Sequence, residues 1–453
     1  MTMGKMFGTN GVRGVVNKDM NVGLALQMGK AVGSVFPGTV AVAVDTRVSA
    51  DMLRAAVSSG LMAVGCDVEF LGAVPTPALQ YYVKTHQGSV SCGIMITASH
   101  NPPEFNGIKV IAPDGTEASK EQEAAVEAKY DETIPEAAWS EVGEYRCVSG
   151  ADDAYVDAVI SKLDVGAIRN AHLTVVLDCA NGAAFRTSPL LLKKLGVRAV
   201  TINGNPQGEF PGHPSEPTAD NLADLCKLVA DIGADLGIAH DGDADRCVFT
   251  DGRGTYVPGD KTLAILAKGI VEANGGGTVV TPVATSSVVD DVVKAAGGEV
   301  VRTAVGSPVV ARKMMDDGGV FGGEENGGLI FPDHQYCRDG AMAIGRMLEC
   351  IIRNGPLETQ LAELPVYYTE KRKIVCPNDR KSALMEYMGS HADMSLKKDT
   401  TDGLKLIAGD FWMLARPSGT EPIFRIYVES KNKERAAEIA GEYQEMAESF
   451  LSH

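Results

Sequence analysis

The stretch TVAVAVDTR, residues 39–47, is a run of apolar and β-branched residues that ends at Asp45 and Arg47. A run of this composition is typical of a strand that is buried on both faces of a parallel sheet. The segment that follows, up to Gly65, has the pattern of a helix. The alternation of a buried strand with a helix predicts parallel α/β layers.

The same pattern recurs along the chain. Four further segments have the character of the first strand: CGIMITA (92–98), LTVVLDC (173–179), ADLGIAH (234–240) and TVVTPV (278–283). The clearest helices cover residues 221–232, 261–273 and 286–296. Because the alternation restarts twice, we predict three α/β blocks, at residues 1–148, 149–250 and 251–365.

The last block, residues 366–453, has a different order of elements. A strand-like KRKIVCP (371–377) and a helix near 381–389 are followed by three closely spaced strands and a charged helix. Strands bunched together before a helix indicate a small α+β domain. Residues 131–145, at the end of the first block, have the composition of a linker.

Composition limits the possible partners of the chain. It has 453 residues, a formal net charge of −17 and nine cysteines with no CxxC or Cys/His zinc pattern. The negative charge argues against binding to nucleic acid or anionic lipid, because their phosphates would be repelled. No segment resembles a signal peptide or a run of roughly 18 apolar residues that could span a membrane. We therefore expect a cytoplasmic protein with reduced thiols.

The loop TASHNPPEFNGIKV, residues 97–110, follows a predicted buried strand and is rich in turn-forming residues. Ser99 at the end of that strand is well placed to face a cleft. His100 could orient a nucleophile or a phosphate, and Lys109 could pair with an anion or transfer a proton. By itself, such a serine is more often an ordinary turn residue.

The loop DGDADR, residues 241–246, places aspartates at every second position. Asp241, Asp243 and Asp245 would lie on one side of an extended loop and repel one another unless a cation lay among them. Oxygen ligands favour Mg²⁺, Mn²⁺ or Ca²⁺ over zinc. An EF-hand is excluded because Arg246 stands where that loop requires glycine.

Two further loops carry candidate binding residues. GGEENGG, residues 322–328, offers Glu324 and Asn326 to sugar hydroxyls between glycines that allow a close approach of the backbone. RPSGTEP, residues 416–422, combines an arginine suited to phosphate with hydroxyls and backbone amides that can bind an anion. Each signal is weak when taken alone.

Taken together, TASHNP, DGDADR, GGEENGG and RPSGTEP resemble, in order and spacing, the four active-site loops of the α-D-phosphohexomutases, over essentially the whole chain. The opening FGTNGVRG also resembles phosphoglucosamine mutases and their archaeal relatives. The resemblance implies an α/β protein. Three similar α/β domains with mixed sheets and a C-terminal α+β domain, like that of the TATA-binding protein, would surround a central cleft. It also implies an enzyme that interconverts hexose 6-phosphate and hexose 1-phosphate through a phosphoserine and a hexose 1,6-bisphosphate.

The resemblance assigns roles to the residues that match the motifs. Ser99 would carry the phosphoryl group and, once phosphorylated, would share one Mg²⁺ with Asp241, Asp243 and Asp245. The residues that would face the reacting phosphate or transfer protons are Arg13, His100, Lys109 and Arg246. The residues that would bind sugar hydroxyls or the second phosphate are Glu324, Asn326, Arg416, Ser418, Gly419, Thr420 and Arg425.

Three positions depart from the family pattern. Many relatives carry serine at Asn326, histidine at Gly328 and aspartate at Asn10, so the base that accepts the hydroxyl proton stays open. The N-terminal motif favours a phosphoglucosamine mutase, with a phosphomannomutase/phosphoglucomutase as the alternative. Glucosamine, mannose and glucose 6-phosphates are the candidate substrates, and we expect a monomer or a homodimer.

Two rival interpretations belong to other classes of protein. A phosphatase that uses Asp243 as its nucleophile would also need Mg²⁺, but it would leave TASHNP and RPSGTEP unexplained. A non-catalytic sensor of sugar phosphates would need neither Ser99 nor three aspartates. The joint occurrence of the four loops favours the mutase.

Overall fold

The structure, a computed structural model, describes residues 6–8, 11–393, 395–418 and 422–452. Asn10 and two predicted site residues, Gly419 and Thr420, lie outside the described residues. Four β-sheets follow one another along the chain, and each is built from strands that are consecutive in sequence. Within the described ranges, no helix combines the length and the apolar character that crossing a membrane requires.

The first sheet carries the serine loop. Its elements are β1 (Val12–Val15), α1 (Val22–Val35), β2 (Thr39–Val44), α2 (Ala50–Ala63), β3 (Asp67–Ala73), α3 (Thr76–Thr85), β4 (Cys92–Ile96), β5 (Phe105–Ile111), α4 (Lys120–Tyr130) and β6 (Tyr145–Cys147). The strand order is β1-β5-β4-β2-β3-β6. The last four strands of this order are parallel, and β5 runs antiparallel to both of its neighbours.

The second sheet carries the aspartate loop. Its elements are α5 (Ala151–Ile160), α6 (Val165–Asn170), β7 (Thr174–Asp178), α7 (Thr187–Leu195), β8 (Arg198–Ile202), α8 (Ala223–Ile232), β9 (Leu236–His240), β10 (Cys247–Thr250) and β11 (Tyr256–Val257). The order is β11-β10-β9-β7-β8, with β7, β8 and β9 parallel. The aspartates lie in the turn between β9 and the antiparallel β10.

The third sheet repeats the mixed arrangement. Its elements are α9 (Gly259–Asn274), β12 (Thr278–Pro282), α10 (Val288–Ala295), β13 (Glu299–Thr303), α11 (Ser307–Asp317), β14 (Phe321–Gly323), β15 (Leu329–Phe331), β16 (Gln335–Arg338), α12 (Gly340–Asn354) and α13 (Leu357–Ala362). The order is β13-β12-β14-β15-β16, and the last two strands are antiparallel additions to a parallel core.

The fourth sheet is entirely antiparallel. Its elements are β17 (Tyr368–Val375), α14 (Lys381–His391), β18 (Lys397–Asp399), β19 (Leu404–Ile407), β20 (Phe411–Pro417), β21 (Ile423–Ser430) and α15 (Lys433–Leu451). Because side chains alternate along a strand, Met413 and Ala415 pack with the helices, whereas Trp412 and Leu414 face the other way. Those two contact Val283 of the third domain.

The hydrophobic core is not divided as the sheets are. One buried cluster runs through the first three domains, from Leu79 on α3 through Leu177 on β7 to Ile344 on α12. The fourth domain has its own core. Among the described residues, only the small cluster around Trp412 joins that domain to the third by apolar contacts between buried residues. Buried apolar contacts therefore attach the fourth domain less extensively than they attach the first three to one another.

The predicted fold class is confirmed: three mixed α/β sheets precede an antiparallel sheet with helices on one face. One interpretation was incomplete. The predicted linker at 131–145 is irregular for most of its length, but Tyr145 begins β6, which extends the first sheet by pairing with β3. The predicted division near residues 148, 250 and 365 stays a prediction, and β11 lies after residue 250.

Candidate active site

Ser99 lies in a tight turn after β4, and its side chain is fully buried. Its φ of 51° is in the left-handed region, which a residue with a β-carbon adopts only at a cost. The backbone N–H of Ser99 donates to Thr97 Oγ1 over 2.9 Å. The turn therefore holds the Ser99 hydroxyl in one direction rather than leaving it in solvent.

Arg47 holds the whole serine loop in place. Its guanidinium donates hydrogen bonds of 2.6–2.9 Å to four backbone carbonyls of the loop, those of Ser99, Asn101, Pro102 and Phe105. Asp45 accepts from Arg47 Nε at 3.0 Å and from Thr97 Oγ1 at 2.6 Å, so the buried charges are paired. No sequence pattern indicated this role, although Arg47 is the last residue of the stretch 39–47.

The three aspartates meet the serine directly. Ser99 Oγ donates to Asp241 Oδ2 over 2.7 Å. Asp241, Asp243 and Asp245 are buried, and one oxygen from each lies within 4.8 Å of the other two. A β-carbon at Gly242 would lie 2.5 Å from the Ser99 carbonyl oxygen, so only glycine permits this approach.

One carboxylate oxygen of Asp243 and one of Asp245 already accept hydrogen bonds from protein donors. Thr76 Oγ1 and Lys109 Nζ each donate to Asp243 Oδ2 at 2.6 Å. Lys109 Nζ also donates to Asp245 Oδ2 at 3.2 Å. Burial alone would lower the pKa of Lys109, but the two carboxylates raise it above the ordinary value and keep the ammonium charged.

A divalent cation fits the space that remains. Asp243 Oδ1 and Asp245 Oδ1 are buried and have no hydrogen-bond partner among the described residues. Burial and the charges of Asp243 and Asp245 raise the pKa of Asp241, which is the effect expected where carboxylates crowd together with no cation between them. Carboxylate-only ligands suit Mg²⁺. The cluster therefore fits a metal site.

Three more predicted residues surround Ser99. Arg13 donates to the Asn101 side chain at 2.7 Å. His100 Nδ1 lies 3.3 Å from Ser99 Oγ. Nearby Arg246, burial and Arg13 lower the pKa of His100 far below its ordinary value, so its ring is neutral. Arg246 Nε is buried 3.7 Å from Asp241 and has no hydrogen-bond partner among the described residues. The Nε–H group of Arg246 is thus available to donate a hydrogen bond to a phosphate near Ser99.

The loop after β14 reaches this cluster through one arginine. Glu324 Oε1 accepts from the Gly306 N–H at 3.1 Å, and Glu324 Oε2 lies 3.4 Å from Arg338 Nη1. Arg338 Nη2 donates to Asp245 Oδ2 over 2.5 Å. Asn326 Oδ1 instead accepts from the Gly328 N–H at 3.0 Å. Arg338 was not among the predicted site residues, because no motif surrounds it.

The fourth domain contributes its arginines from a separate sheet. Arg416 on β20 pairs with Asp402 Oδ2 at 3.0 Å, and the same oxygen accepts a hydrogen bond from the Val305 N–H at 3.1 Å. Arg425 is the strand partner of Arg416, and Ser418 is buried beside them in the chain. The described contacts join Arg416 to the third domain and not to the serine loop.

The likeness to known proteins agrees with this arrangement. Models of the phosphoglucomutase/phosphomannomutase family match the chain in four parts. Alpha/beta/alpha domains I, II and III match residues 4–136, 153–254 and 258–368, and the C-terminal domain matches residues 373–446. The four matches follow the order of the four sheets.

Individual proteins match over nearly their full length. A phosphoglucomutase/phosphomannomutase of Thermococcus kodakarensis is 44% identical, covering 96% of this chain and 97% of its own. A probable phosphoglucosamine mutase of Methanopyrus kandleri is 43% identical, covering 97% of both. The crystal structure of a family protein from Burkholderia thailandensis superimposes with a TM-score of 0.88 at 27% identity, covering 99% of this chain and 98% of its own. The chain therefore belongs to the phosphoglucomutase/phosphomannomutase family, the α-D-phosphohexomutases that its four loops resemble.

Proposed function

We propose that this chain is a phosphohexomutase that interconverts hexose 6-phosphate and hexose 1-phosphate, with glucosamine phosphate as its preferred substrate. The observation that carries the proposal is the 2.7 Å hydrogen bond from Ser99 Oγ to Asp241 Oδ2. It joins a buried hydroxyl to a cluster of carboxylates that fits a divalent cation. A serine phosphate formed there would lie within reach of that cation.

The first half of the reaction transfers a phosphoryl group from phosphorylated Ser99. A sugar hydroxyl attacks phosphorus, the bond from phosphorus to Ser99 Oγ breaks, and a new bond to the sugar oxygen forms. The sugar hydroxyl loses a proton and Ser99 Oγ gains one, so the charge balances. Asp241 Oδ2 then accepts the hydrogen bond of the restored hydroxyl, as in the structure.

Asp241, Asp243 and Asp245 would hold Mg²⁺, together with the phosphate on Ser99. When bound, Mg²⁺ supplies positive charge that offsets the charge spreading over the phosphoryl oxygens in a loose transition state. Lys109 lies against two of the aspartates and stays charged, so it adds to that field. Asp243→Asn should weaken the binding of the cation, whereas Asp316→Asn, at an exposed position of α11, should not.

The second half of the reaction returns the other phosphate of the hexose 1,6-bisphosphate to Ser99. The intermediate must turn over within the cleft, so the same residues must hold both orientations. Glu324 would bind the sugar hydroxyls in either case. Arg416 and Arg425, which extend from one face of the fourth sheet, would hold whichever phosphate is not reacting.

The choice of glucosamine phosphate rests on likeness. The N-terminal motif resembles that of phosphoglucosamine mutases. The Methanopyrus relative is also named a probable phosphoglucosamine mutase. The alternative, a phosphomannomutase/phosphoglucomutase, is supported by the name of the Thermococcus relative. We further propose that a hexose 1,6-bisphosphate is the activator and that the protein is a monomer or a homodimer. It would be located in the cytoplasm and have no nucleic-acid or membrane partner.

Turnover of glucosamine, mannose and glucose 6-phosphates, each with its bisphosphate, tests the function and ranks the substrates. Mass spectrometry of the purified protein should find phosphate on Ser99. Ser99→Ala should abolish transfer, whereas Ser59→Ala, a serine on the exposed side of α2, should leave it intact. Phosphate on Asp243 instead of Ser99 would support the phosphatase, and an inactive wild-type chain would support the sensor.

A further inference from the structure

Gly328 and Arg338 share one space beside the acidic cluster. Gly328 directly precedes β15, and Arg338 is the last residue of β16. The two strands form a hairpin in which Ile330 pairs with Arg338. A β-carbon at Gly328 would lie 2.2 Å from Arg338 Cδ, inside the arginine side chain. The arginine can follow this path only because residue 328 has no side chain.

The guanidinium of Arg338 joins carboxylates from three domains. Its Nη2 atom lies 2.5 Å from Asp245 Oδ2 and 4.0 Å from Glu117 Oε1, and its Nη1 atom lies 3.4 Å from Glu324 Oε2. Arg338 itself is 6% exposed, so water screens these contacts little. One rigid, planar group therefore spans the aspartate loop and the loop of Glu324.

The contact with Asp245 also decides which of its oxygens is available. Arg338 and Lys109 both occupy Oδ2, and Oδ1 has no hydrogen-bond partner among the described residues. An arginine that holds one oxygen of a carboxylate directs the other oxygen towards a cation. Partners of this kind, which contact a metal ligand rather than the metal, commonly change metal affinity 10- to 100-fold.

The backbone of Arg338 is fixed by its neighbour. Asp339 caps α12 by accepting from the Met342 N–H at 2.9 Å. Its carboxylate also accepts from Tyr155 at 2.5 Å and from Gln335 at 2.8 Å, deep between the domains. Arg338 therefore extends from a point that α12, β16 and α5 hold together.

We infer that Arg338 is a positioning residue that fixes Asp245 and Glu324 relative to each other, and that Gly328 is required because it leaves room for Arg338. The inference rests on the proposed function, since Asp245 would bind the cation and Glu324 the sugar. Arg338 acts through these two carboxylates and need not touch the substrate. It thereby sets the distance between the phosphoryl donor and the attacking hydroxyl.

The test compares Arg338→Met, Arg338→Lys and Gly328→Ala with the wild type. We expect kcat to fall about 100-fold in the first variant and in the third, because small misplacements of reacting groups cost about that much. Arg338→Lys should recover part of the loss, since an ammonium can serve one carboxylate but not both. Gly269→Ala, in open space on α9 of the same domain, is the matched control.

A double-mutant cycle shows whether Gly328 acts through Arg338. The double variant Gly328→Ala/Arg338→Ala should be no slower than Arg338→Ala alone, because the arginine side-chain atoms that a β-carbon at residue 328 would meet are then absent. Losses that multiply would overturn that part of the inference. If Arg338→Met does not fold, Gly328→Ala and Arg338→Lys still measure the effect of displacing or weakening the guanidinium.

Direct Mn²⁺ binding, measured by titration calorimetry without substrate, separates this inference from the proposed function. Arg338→Met should weaken binding about 10-fold or more. If kcat and Mn²⁺ affinity both stay within threefold of the wild type in folded Arg338→Met and Gly328→Ala, the positioning role is wrong. If the wild type transfers no phosphate at all, the proposed function fails, and the binding comparison still decides whether Arg338 orients Asp245.

Discussion

Arg416 on β20 and Arg425 on β21 lie directly opposite each other in an antiparallel strand pair, so their side chains leave the same face of the sheet. Lys373 on β17 is the partner of Arg425 on its other side. Three cationic residues thus follow one another across three strands. Like charges placed opposite each other destabilise a sheet, and at Arg416 the carboxylate of Asp402 offsets this effect. The arrangement favours an anion at this face.

Arg416→Ala should therefore raise KM for the hexose phosphate and leave kcat within about threefold, because a phosphate held equally in ground and transition states contributes uniform binding. A charged hydrogen bond of about 1.5–3 kcal/mol corresponds to a rise of about 10- to 100-fold. Steady-state kinetics checks this. Arg435→Ala, at a half-exposed ion pair on α15, is the control and should change neither constant. A lower kcat with unchanged KM would contradict the assignment.

The positive φ of Ser99 predicts an unusual order of stability among inactive variants. Ser99→Gly and Ser99→Ala both lose the hydroxyl and should both lose transfer. Glycine adopts a φ of 51° freely, whereas alanine keeps a strain of about 1–2 kcal/mol. Ser99→Gly should therefore unfold at a higher temperature than Ser99→Ala. The reverse order, measured by circular dichroism, would show that the turn relaxes when the hydroxyl is removed.

Arg47→Lys should loosen the serine loop without removing its charge. A lysine cannot replace the set of hydrogen bonds that the guanidinium makes to four carbonyls. We expect a loss of about 3 kcal/mol in the free energy of unfolding, since buried carbonyls are left unpaired. Amide hydrogen exchange over residues 98–106 should accelerate. Arg54→Lys, on α2 and paired with Asp51 away from the serine loop, should leave that exchange unchanged.

Lys405 should make the junction of the third and fourth domains sensitive to pH. Burial and nearby Arg302 lower the pKa of Lys405 to about 8, although its Nζ donates to the Val283 carbonyl at 2.6 Å and lies 4.1 Å from the Trp412 ring centroid. A lysine whose pKa is lower when folded binds fewer protons when folded than when unfolded. Its contribution to stability therefore rises between about pH 8 and its ordinary pKa near 10.5, and is lost as pH falls.

The comparison with Lys405→Met isolates this effect. The wild type should gain stability relative to the variant by about 3 kcal/mol across that interval. The chain has two tryptophans, so a Trp139→Phe background leaves Trp412 as the fluorescent reporter at the junction. Wild type and variant curves that stay parallel from pH 8 to 10.5 would show that Lys405 remains charged when folded.

Much of the molecule could be predicted from sequence because its signals are local. The strand 39–47 and the segments that repeat it gave the α/β layers, and the three spaced aspartates indicated a cation before any contact was known. Edge elements were harder: β6 is three exposed residues at the end of an irregular segment, which no hydrophobic pattern marks. Local pattern cannot show a strand whose stability comes from its neighbour.

The residues that sequence reasoning missed are those whose partners are distant in the chain. Arg47 contacts carbonyls more than 50 positions away, and Arg338 contacts Asp245 across 93 positions. Backbone carbonyls exist at every residue, so a loop gives no sign of which arginine will bind it. The catalytic roles assigned to Arg13, His100, Lys109 and Arg246 stay predictions until variants are measured.

The apolar core that runs through the first three domains limits how this chain can be cut or assembled. A fragment that ended after the first or second sheet would expose that core to water and should aggregate during synthesis. The last domain, with its own core, should fold by itself and melt as a separate calorimetric transition. During translation, the first three domains would then fold together as one cooperative unit, and the last domain would fold afterwards as a separate unit.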